Sequence, residues 1–353
     1  MNVATTNNFN QRDNLLVGIG NPLLDISAIV DKEFLAKYDM KENDAILASD
    51  KHKNLYEELT EKYPVEYIAG GSVQNTLRVT QWLIEKPKVC TYFGCVGEDQ
   101  YSKILHDKAT SEGVNVRYQY NSLEPTGTCA VLITDHHRSL CANLASANFF
   151  TIDHIRKPEN KKFIETAQYY YVSGFFLTVS PPSILEIAKL ALARDRPLIM
   201  NLSAPFICQF YKEQVMQVMP YVDILFGNEM EALTFSVEQS LETKDLKEIA
   251  LKICKLPKQN ENRSRIVILT HGINPVILAH NGKIKEYPII ELPKDKVVDT
   301  NGAGDAFVGG FLSQYIKGED LDVCIQCAIW AAAEIIQRSG CTFEGKATFK
   351  PLQ

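Results

Sequence analysis

The sharpest chemistry in the sequence lies in Asp299-Thr300-Asn301-Gly302-Ala303-Gly304-Asp305-Ala306-Phe307, which runs into Val308-Gly309-Gly310-Phe311-Leu312. Two glycines two residues apart let a backbone turn tightly and come close to a ligand. An apolar helical pattern begins directly afterwards. The loop's N–H groups and the helix's positive end then face one point, which is an anion site. Asp305 falls at its mouth. A carboxylate beside an anion is unfavourable unless it has a task, and accepting a proton from an attacking hydroxyl is such a task. The plainer alternative is a glycine-rich loop whose aspartate caps a helix. Gly302-x-Gly304 continues to Phe307 and Gly18-x-Gly20 to Leu23, so both fail the dinucleotide fingerprint G-x-G-x-x-G. No G-x-x-x-x-G-K-[ST] loop occurs.

Three other clusters carry chemistry. In Ala69-Gly70-Gly71-Ser72-Val73-Gln74-Asn75-Thr76 a glycine pair precedes a helix starting near Val73. Bare backbone there lets a flat ligand lie close, and Asn75 offers both a donor and an acceptor; the alternative is a tight turn with Ser72 as cap. Gly20-Asn21-Pro22-Leu23-Leu24-Asp25 puts a carboxylate just past the carboxyl end of a first strand, where open α/β sheets bind ligands. One carboxylate can accept from two neighbouring hydroxyls, which suits a diol; an ordinary loop aspartate is the alternative. Asn228-Glu229-Met230-Glu231 follows the strand Ile224-Leu225-Phe226. Its acids could order Mg²⁺ through water, since Mg²⁺ keeps most of its own shell. Helix capping by Asn228 is the alternative.

These residues need a scaffold, and the chain's punctuation supplies one. Strands are expected at Leu15–Gly20, Val89–Gly94, Tyr169–Val172, Leu198–Asn201, Ile224–Phe226 and Ile266–Leu269. Helices are expected at Lys51–Tyr63, Ser102–Ser111, Ser183–Ala193, Tyr211–Met219, Asn228–Phe235, Ala306–Tyr315 and Val323–Gln337. Short apolar runs flanked by helices call for a parallel sheet covered on both faces. Two stretches break the alternation: Leu24–Val30, and the cluster Arg117–Tyr120, Cys129–Thr134 and Ser139–Asn143. These are expected to form a small separate sheet that serves as a lid.

Bulk properties narrow the classes. The chain has 353 residues, 45% of them hydrophobic and 23% charged, with a net charge of −6. That charge excludes a general polyanion binder such as a nucleic-acid coat protein. No apolar run approaches the ~20 residues that span a bilayer. The polar N-terminus MNVATTNNFNQRDN has no apolar signal core, which leads to the expectation of a cytoplasmic or nuclear protein with no membrane contact. Cysteines number nine, an odd count, and the C-x-x-C at Cys324 and Cys327 sits in an apolar helical stretch. Buried helix residues are the expectation there, rather than zinc or redox chemistry.

Taken together, the four clusters resemble the ribokinase-like (PfkB) carbohydrate kinase family: Ala69–Asn75 and Asp299–Asp305 are similar to its two signatures, Asn228–Glu231 to its N-x-x-E motif. The likeness runs from about residue 15 to 345. It extends to the family's adenosine-phosphorylating members through Gly20–Ser27, Pro125–Cys129, Gly174–Pro181, Asn201–Phe206 and Asp223–Glu229. The resemblance implies a large three-layer α/β domain with a parallel sheet (1–21, 51–116 and 144–353) and a small β-rich lid (22–50 and 117–143). It also implies transfer of phosphate from ATP to the adenosine 5′-hydroxyl, with Mg²⁺, by a monomer.

The resemblance assigns roles as well. Asp305 is the base, and Gly302, Ala303 and Gly304 form the anion hole that Asn301 completes. Asp25 grips the ribose hydroxyls, with Asn75, Ser72, Gly70 and Gly71 beside it. Asn21 is placed near the purine edge, and Phe176 and Phe206 as aromatic walls. Arg138 is the lid arginine, Glu231 the Mg²⁺-ordering acid; Asn228, Thr270 and Gly272 fall to the ATP site. A relative acting on a bare sugar fits the two aromatics poorly. A catalytically dead regulator fits the intact Asp305 loop poorly, and an NAD-dependent oxidoreductase fails on the incomplete fingerprints.

Overall fold

The structure is a computed structural model that describes residues 12–351 apart from 43, 135 and 136. Fourteen strands are described: β1 (Leu16–Ile19), β2 (Leu23–Ile29), β3 (Ala45–Leu47), β4 (Glu66–Gly70), β5 (Cys90–Gly97), β6 (Asn115–Asn121), β7 (Thr128–Thr134), β8 (His137–Asn143), β9 (Tyr169–Ser173), β10 (Leu198–Asn201), β11 (Val222–Asn228), β12 (Ile266–His271), β13 (Asn274–His280) and β14 (Lys283–Tyr287). They form two sheets. The large one runs β14-β13-β12-β11-β10-β9-β1-β5-β6 and the small one β3-β8-β7-β2-β4.

Seven strands of the large sheet, from β12 across to β6, are parallel; β13 turns back antiparallel and β14 returns. Its central strands are apolar on both faces. In β1, Val17 and Ile19 enter one core while Leu16 enters the other. The first core takes helices Pro181–Ala193, Glu229–Glu238 and Leu246–Cys254. The second takes Ser72–Ile84, Ala303–Tyr315 and Leu321–Ile335. This is the expected three-layer α/β architecture, with an antiparallel hairpin added at one edge.

Two boundaries differ from expectation. β6 was grouped with the lid strands, yet it pairs in parallel with β5 at the edge of the large sheet. β4 was placed in the large domain, yet it pairs antiparallel with β2 in the small sheet. Helix Leu55–Lys62 belongs with the small sheet too, since Leu55 and Leu59 pack with Ile26, Ala130 and Leu132. The cause is pairing: an isolated strand looks the same whichever sheet it joins, and only its long-range partner decides. Cys324 and Cys327 are buried on helix Leu321–Ile335, as expected. Among the described residues no helix is long and apolar enough to cross a membrane.

Candidate active site

The carboxyl ends of the parallel strands open into a cavity of about 340 Å³. Asn21 follows β1; Ser173, Asn201 and Asn228 end β9, β10 and β11; Thr270 lies near the end of β12. All five line it. The small sheet covers the opposite side through Asp25, Ile46, Leu47, Cys129, Leu140 and Ala142. Ligands of open α/β sheets bind at this end, outside the strand termini.

Asp305 lies in the first turn of helix Ala303–Tyr315, which starts three residues earlier than the apolar pattern suggested. Its Oδ1 accepts from Ser72 Oγ at 2.7 Å and its Oδ2 from Asn75 Nδ2 at 3.1 Å. Both donors come from the first turn of helix Ser72–Ile84. Burial pushes the Asp305 carboxyl up to about 6, while Ser72, Asn75 and Arg78 pull it down. Gly302, the N-cap, has φ +78°, a left-handed conformation that favours glycine, and a Cβ there would stand 2.8 Å from Cys341 Cβ. Ala303 N–H reaches Thr300 O at 3.2 Å and Ala306 N–H reaches Gly302 O at 2.8 Å. Among the described residues the N–H groups of Gly304 and Asp305 take no backbone partner, so they are free to meet an anion.

Asp25 sits in the middle of the small sheet, opposite Ile68 of β4 and Cys129 of β7. Asn301 Nδ2 approaches its Oδ2 at 3.5 Å. Burial, then the charge of Asp305, pushes the Asp25 carboxyl up to about 8. At the end of β11, Asn228 and Glu231 close a reciprocal cap. Asn228 N–H donates to Glu231 Oε2 at 2.9 Å, Asn228 Nδ2 to Oε1 at 2.8 Å, and Glu231 N–H to Asn228 Oδ1 at 2.8 Å. Glu231 is buried, which pushes its carboxyl up to about 7. Phe175 and Phe206 face each other across the apolar end, ring centroids 6.1 Å apart. Asn21 Oδ1 is buried without a partner, and its Nδ2 reaches Phe175 O at 3.4 Å.

A protein-family model described as pfkB family carbohydrate kinase matches residues 32–347. This chain belongs to that family. The sequence is 50% identical over 347 residues to Adenosine kinase 2 of Arabidopsis thaliana, covering 98% of this chain and 100% of the relative. The PfkB fold here superposes on an Anopheles gambiae adenosine kinase in complex with P1,P4-di(adenosine-5) tetraphosphate with a TM-score of 0.94; the two are 57% identical, and the match covers 96% of this chain and 100% of that one. A Schistosoma mansoni adenosine kinase in complex with adenosine matches with a TM-score of 0.90 at 35% identity, over 95% of this chain and 98% of that one.

Within this PfkB kinase, the cavity gathers Asn21, Asp25, Gly71, Ser72, Asn75, Phe206, Asn228, Glu231, Thr270, Asn301, Gly302, Gly304 and Asp305. Four expected residues are placed otherwise, and Ala303 is not among the lining residues either. Phe176 is wholly buried in the core, its ring 5.3 Å from that of Phe150, and Phe175 takes the cavity wall instead. The two lie on a tight 3₁₀ turn, Gly174–Thr178, so neighbouring side chains point about 120° apart. Gly272 sits outside the cavity, in the turn between β12 and β13. Gly70 lies beneath Asp25 rather than in the wall: a Cβ there would stand 2.4 Å from Asp25 Oδ1. Arg138 does not line the cavity. Its Nε donates to Asp299 Oδ1 at 2.7 Å and its Nη2 to Val298 O at 2.6 Å. Asp299 also accepts from Asn301 N–H at 2.7 Å and Gly340 N–H at 2.8 Å, which ties β8 to the start of the glycine loop. Ser203, also in the wall, was missed. Its φ of +75° for a non-glycine residue leaves no trace in sequence.

Proposed function

We propose that the chain transfers the γ-phosphoryl group of ATP to the 5′-hydroxyl of adenosine, giving AMP and ADP. The observation that carries this reading is the pairing of Asp305 with two donors beside the unbonded N–H groups of the glycine loop. A general base and an anion hole stand side by side, as an in-line attack on a phosphoryl group requires. Full-length likeness to adenosine kinases supplies the substrate class.

Adenosine lies with its base against the wall that the touching Phe175 and Phe206 rings form and its purine edge near Asn21. Its two ribose hydroxyls donate to Asp25. The 5′-oxygen then meets Asp305, which takes the proton as that oxygen bonds to phosphorus and the bond to the ADP oxygen breaks. The N–H groups of Gly304 and Asp305 receive the charge on the transferring group. Asn228 and Thr270 face the ATP side. Arg138 leaves Asp299 for the phosphates as the small sheet closes.

Among the described residues no group of three His, Cys, Asp or Glu side chains could hold a bare metal ion. Glu231 is a single buried carboxylate on the cavity wall, and both its oxygens already accept bonds from Asn228. That fits Mg²⁺ held through its own water and the phosphates of ATP, and does not fit a directly ligated ion. When bound, Mg²⁺ supplies positive charge against the phosphate oxygens.

Phosphate transfer from radiolabelled ATP to adenosine, inosine, ribose and fructose tests the substrate, and Asp305→Asn tests the base. Adenosine is expected to lead the panel, and the variant to lose roughly 10²- to 10⁴-fold in kcat with adenosine affinity little changed. Ribose or fructose outcompeting adenosine would overturn the function. A variant retaining more than a tenth of kcat would remove Asp305 from the role of base.

A further inference from the structure

One helical turn beyond Asn75, helix Ser72–Ile84 carries an arginine with no exposed surface. Arg78 Nη1 donates to Asn75 Oδ1 at 3.0 Å and to Ala69 O at 3.1 Å. Its Nε and Nη2 grip the two oxygens of Glu112, the latter at 3.1 Å. The Phe343 ring covers the guanidinium at 5.6 Å, and Lys108 shares Glu112 at 2.9 Å. Such a group is costly to bury and leaves a strong trace in the residues that satisfy it.

Asn75 stands between two groups of opposite habit. A guanidinium only donates and an ionised carboxylate only accepts. The Asn75 amide therefore has one workable orientation, oxygen to Arg78 and nitrogen to Asp305. Turned over, it would set its NH₂ against the guanidinium and its oxygen against the carboxylate. An Asn75 nitrogen facing Asp305 bonds well to the ionised form and poorly to the protonated one. We propose that Arg78 is a positioning residue for Asp305: it locks the Asn75 amide as a donor and so holds Asp305 in its proton-accepting form, while Glu112 partly neutralises its charge. This rests on the reading of Asp305 as the base.

The surroundings leave Arg78 a clear electrostatic part. Asp305 is faced by Asp25 from β2, by Tyr171 from β9 and by Cys341 from the C-terminal segment. Asp299 lies behind Asp25 and acts on it in the same unfavourable sense. Burial is the main force that raises Asp305, and Arg78 is the cation that opposes it. Arg78 in turn faces Glu112, Tyr118 and Cys341. Removing the Arg78 charge should make Asp305 harder to ionise. Removing the Glu112 charge leaves the arginine less neutralised and should make Asp305 easier to ionise.

The test is the pH profile of kcat for Arg78→Gln, Arg78→Lys and Glu112→Gln, with melting curves and adenosine affinity alongside. Arg78→Gln should move the acid limb up by about one pH unit. It should also lower kcat about twofold at pH 7 and nearly tenfold at about pH 5, recover toward pH 9, and leave adenosine KM within about threefold. Arg78→Lys should restore part of the limb. Glu112→Gln should move it the opposite way, and it carries the test alone if Arg78→Gln fails to fold. A folded Arg78→Gln with the wild-type limb would overturn the proposal. So would limbs that move in the same direction in Arg78→Gln and Glu112→Gln, which is what general loosening gives. Either result beside an inactive Asp305→Asn leaves the base assignment standing; an active Asp305→Asn removes that assignment instead.

Discussion

Replacing Gly70 by alanine should disable a residue it does not share a chain segment with. The added Cβ would stand 2.4 Å from Asp25 Oδ1, 2.5 Å from Cγ and 2.6 Å from Oδ2. Ordinary contact lies about 1 Å farther out, so the carboxyl must retreat by about that much. The backbones cannot share the shift, because Gly70 is paired with Leu23 while Asp25 is paired with both Ile68 and Cys129. The side chain must therefore rotate, away from Asn301 and from the ribose hydroxyls. A charge-assisted hydrogen bond contributes about 1.5–3 kcal/mol, so kcat/KM for adenosine should fall roughly 10- to 150-fold. The wild type should favour adenosine over 2′-deoxyadenosine by a similar factor, and Gly70→Ala should lose most of that preference. Overpacking costs typically about 1–3 kcal/mol, so the melting temperature should drop by several degrees while the protein stays folded. Steady-state kinetics on both nucleosides, with a melting curve for each protein, decides the matter. A Gly70→Ala enzyme with wild-type kcat/KM and an intact preference would refute the link between Asp25 and the diol.

Phe175→Ala should raise adenosine KM with little change in melting, whereas Phe176→Ala should cost about 3–5 kcal/mol of stability and leave the folded enzyme's KM alone; kinetics and melting of the pair separate wall from core. Gly304→Ala adds a Cβ that meets nothing within 4 Å. It should therefore melt like the wild type yet lose at least tenfold in kcat, and normal turnover would remove Gly304 from the anion hole. Because Asp25 is pushed up to about 8, it carries a proton in the empty protein at pH 7 and must release it to accept from two hydroxyls. Adenosine affinity should rise with pH until about 8, and calorimetry at pH 7 should give heats that depend on the buffer; equal heats in buffers of different ionisation enthalpy would contradict this. Arg138→Ala should lower kcat more than it weakens adenosine binding, and a change confined to adenosine KM would place the arginine in ground-state binding.

What could be read from sequence was what is local. The loop Asp299–Asp305, the Gly70–Asn75 turn and the Gly20–Asp25 run after β1 each place their chemistry within a few consecutive residues, so type and spacing sufficed. Phe175 and Phe176 are neighbours of identical type, and only the 3₁₀ turn decides which faces the cavity. Arg138 finds its partner 161 residues away, at Asp299, which no spacing rule reaches. β6 was expected as a strand and β4 was not, and the sheet each joins follows from pairing with β5 and β2. Arg78 stands in the helix that carries Asn75, yet its importance shows only once Glu112 and Asp305 close around it.

The order of strands also dictates when, during synthesis, the site can exist. β1 lies between β5 and β9, so its pairing is incomplete until about residue 173 has emerged. From β9 onward each new strand adds beside its predecessor, out to β14, and growth can keep pace with the ribosome. The helix that brings Asp305 comes after all of them, and its Asn75 partner was made 230 residues earlier. A nascent chain can thus complete its large sheet while still lacking Asp305, the proposed base. With Asp305 as the base, competence arrives late and at once, when the Ala303–Tyr315 helix docks against Ser72–Ile84.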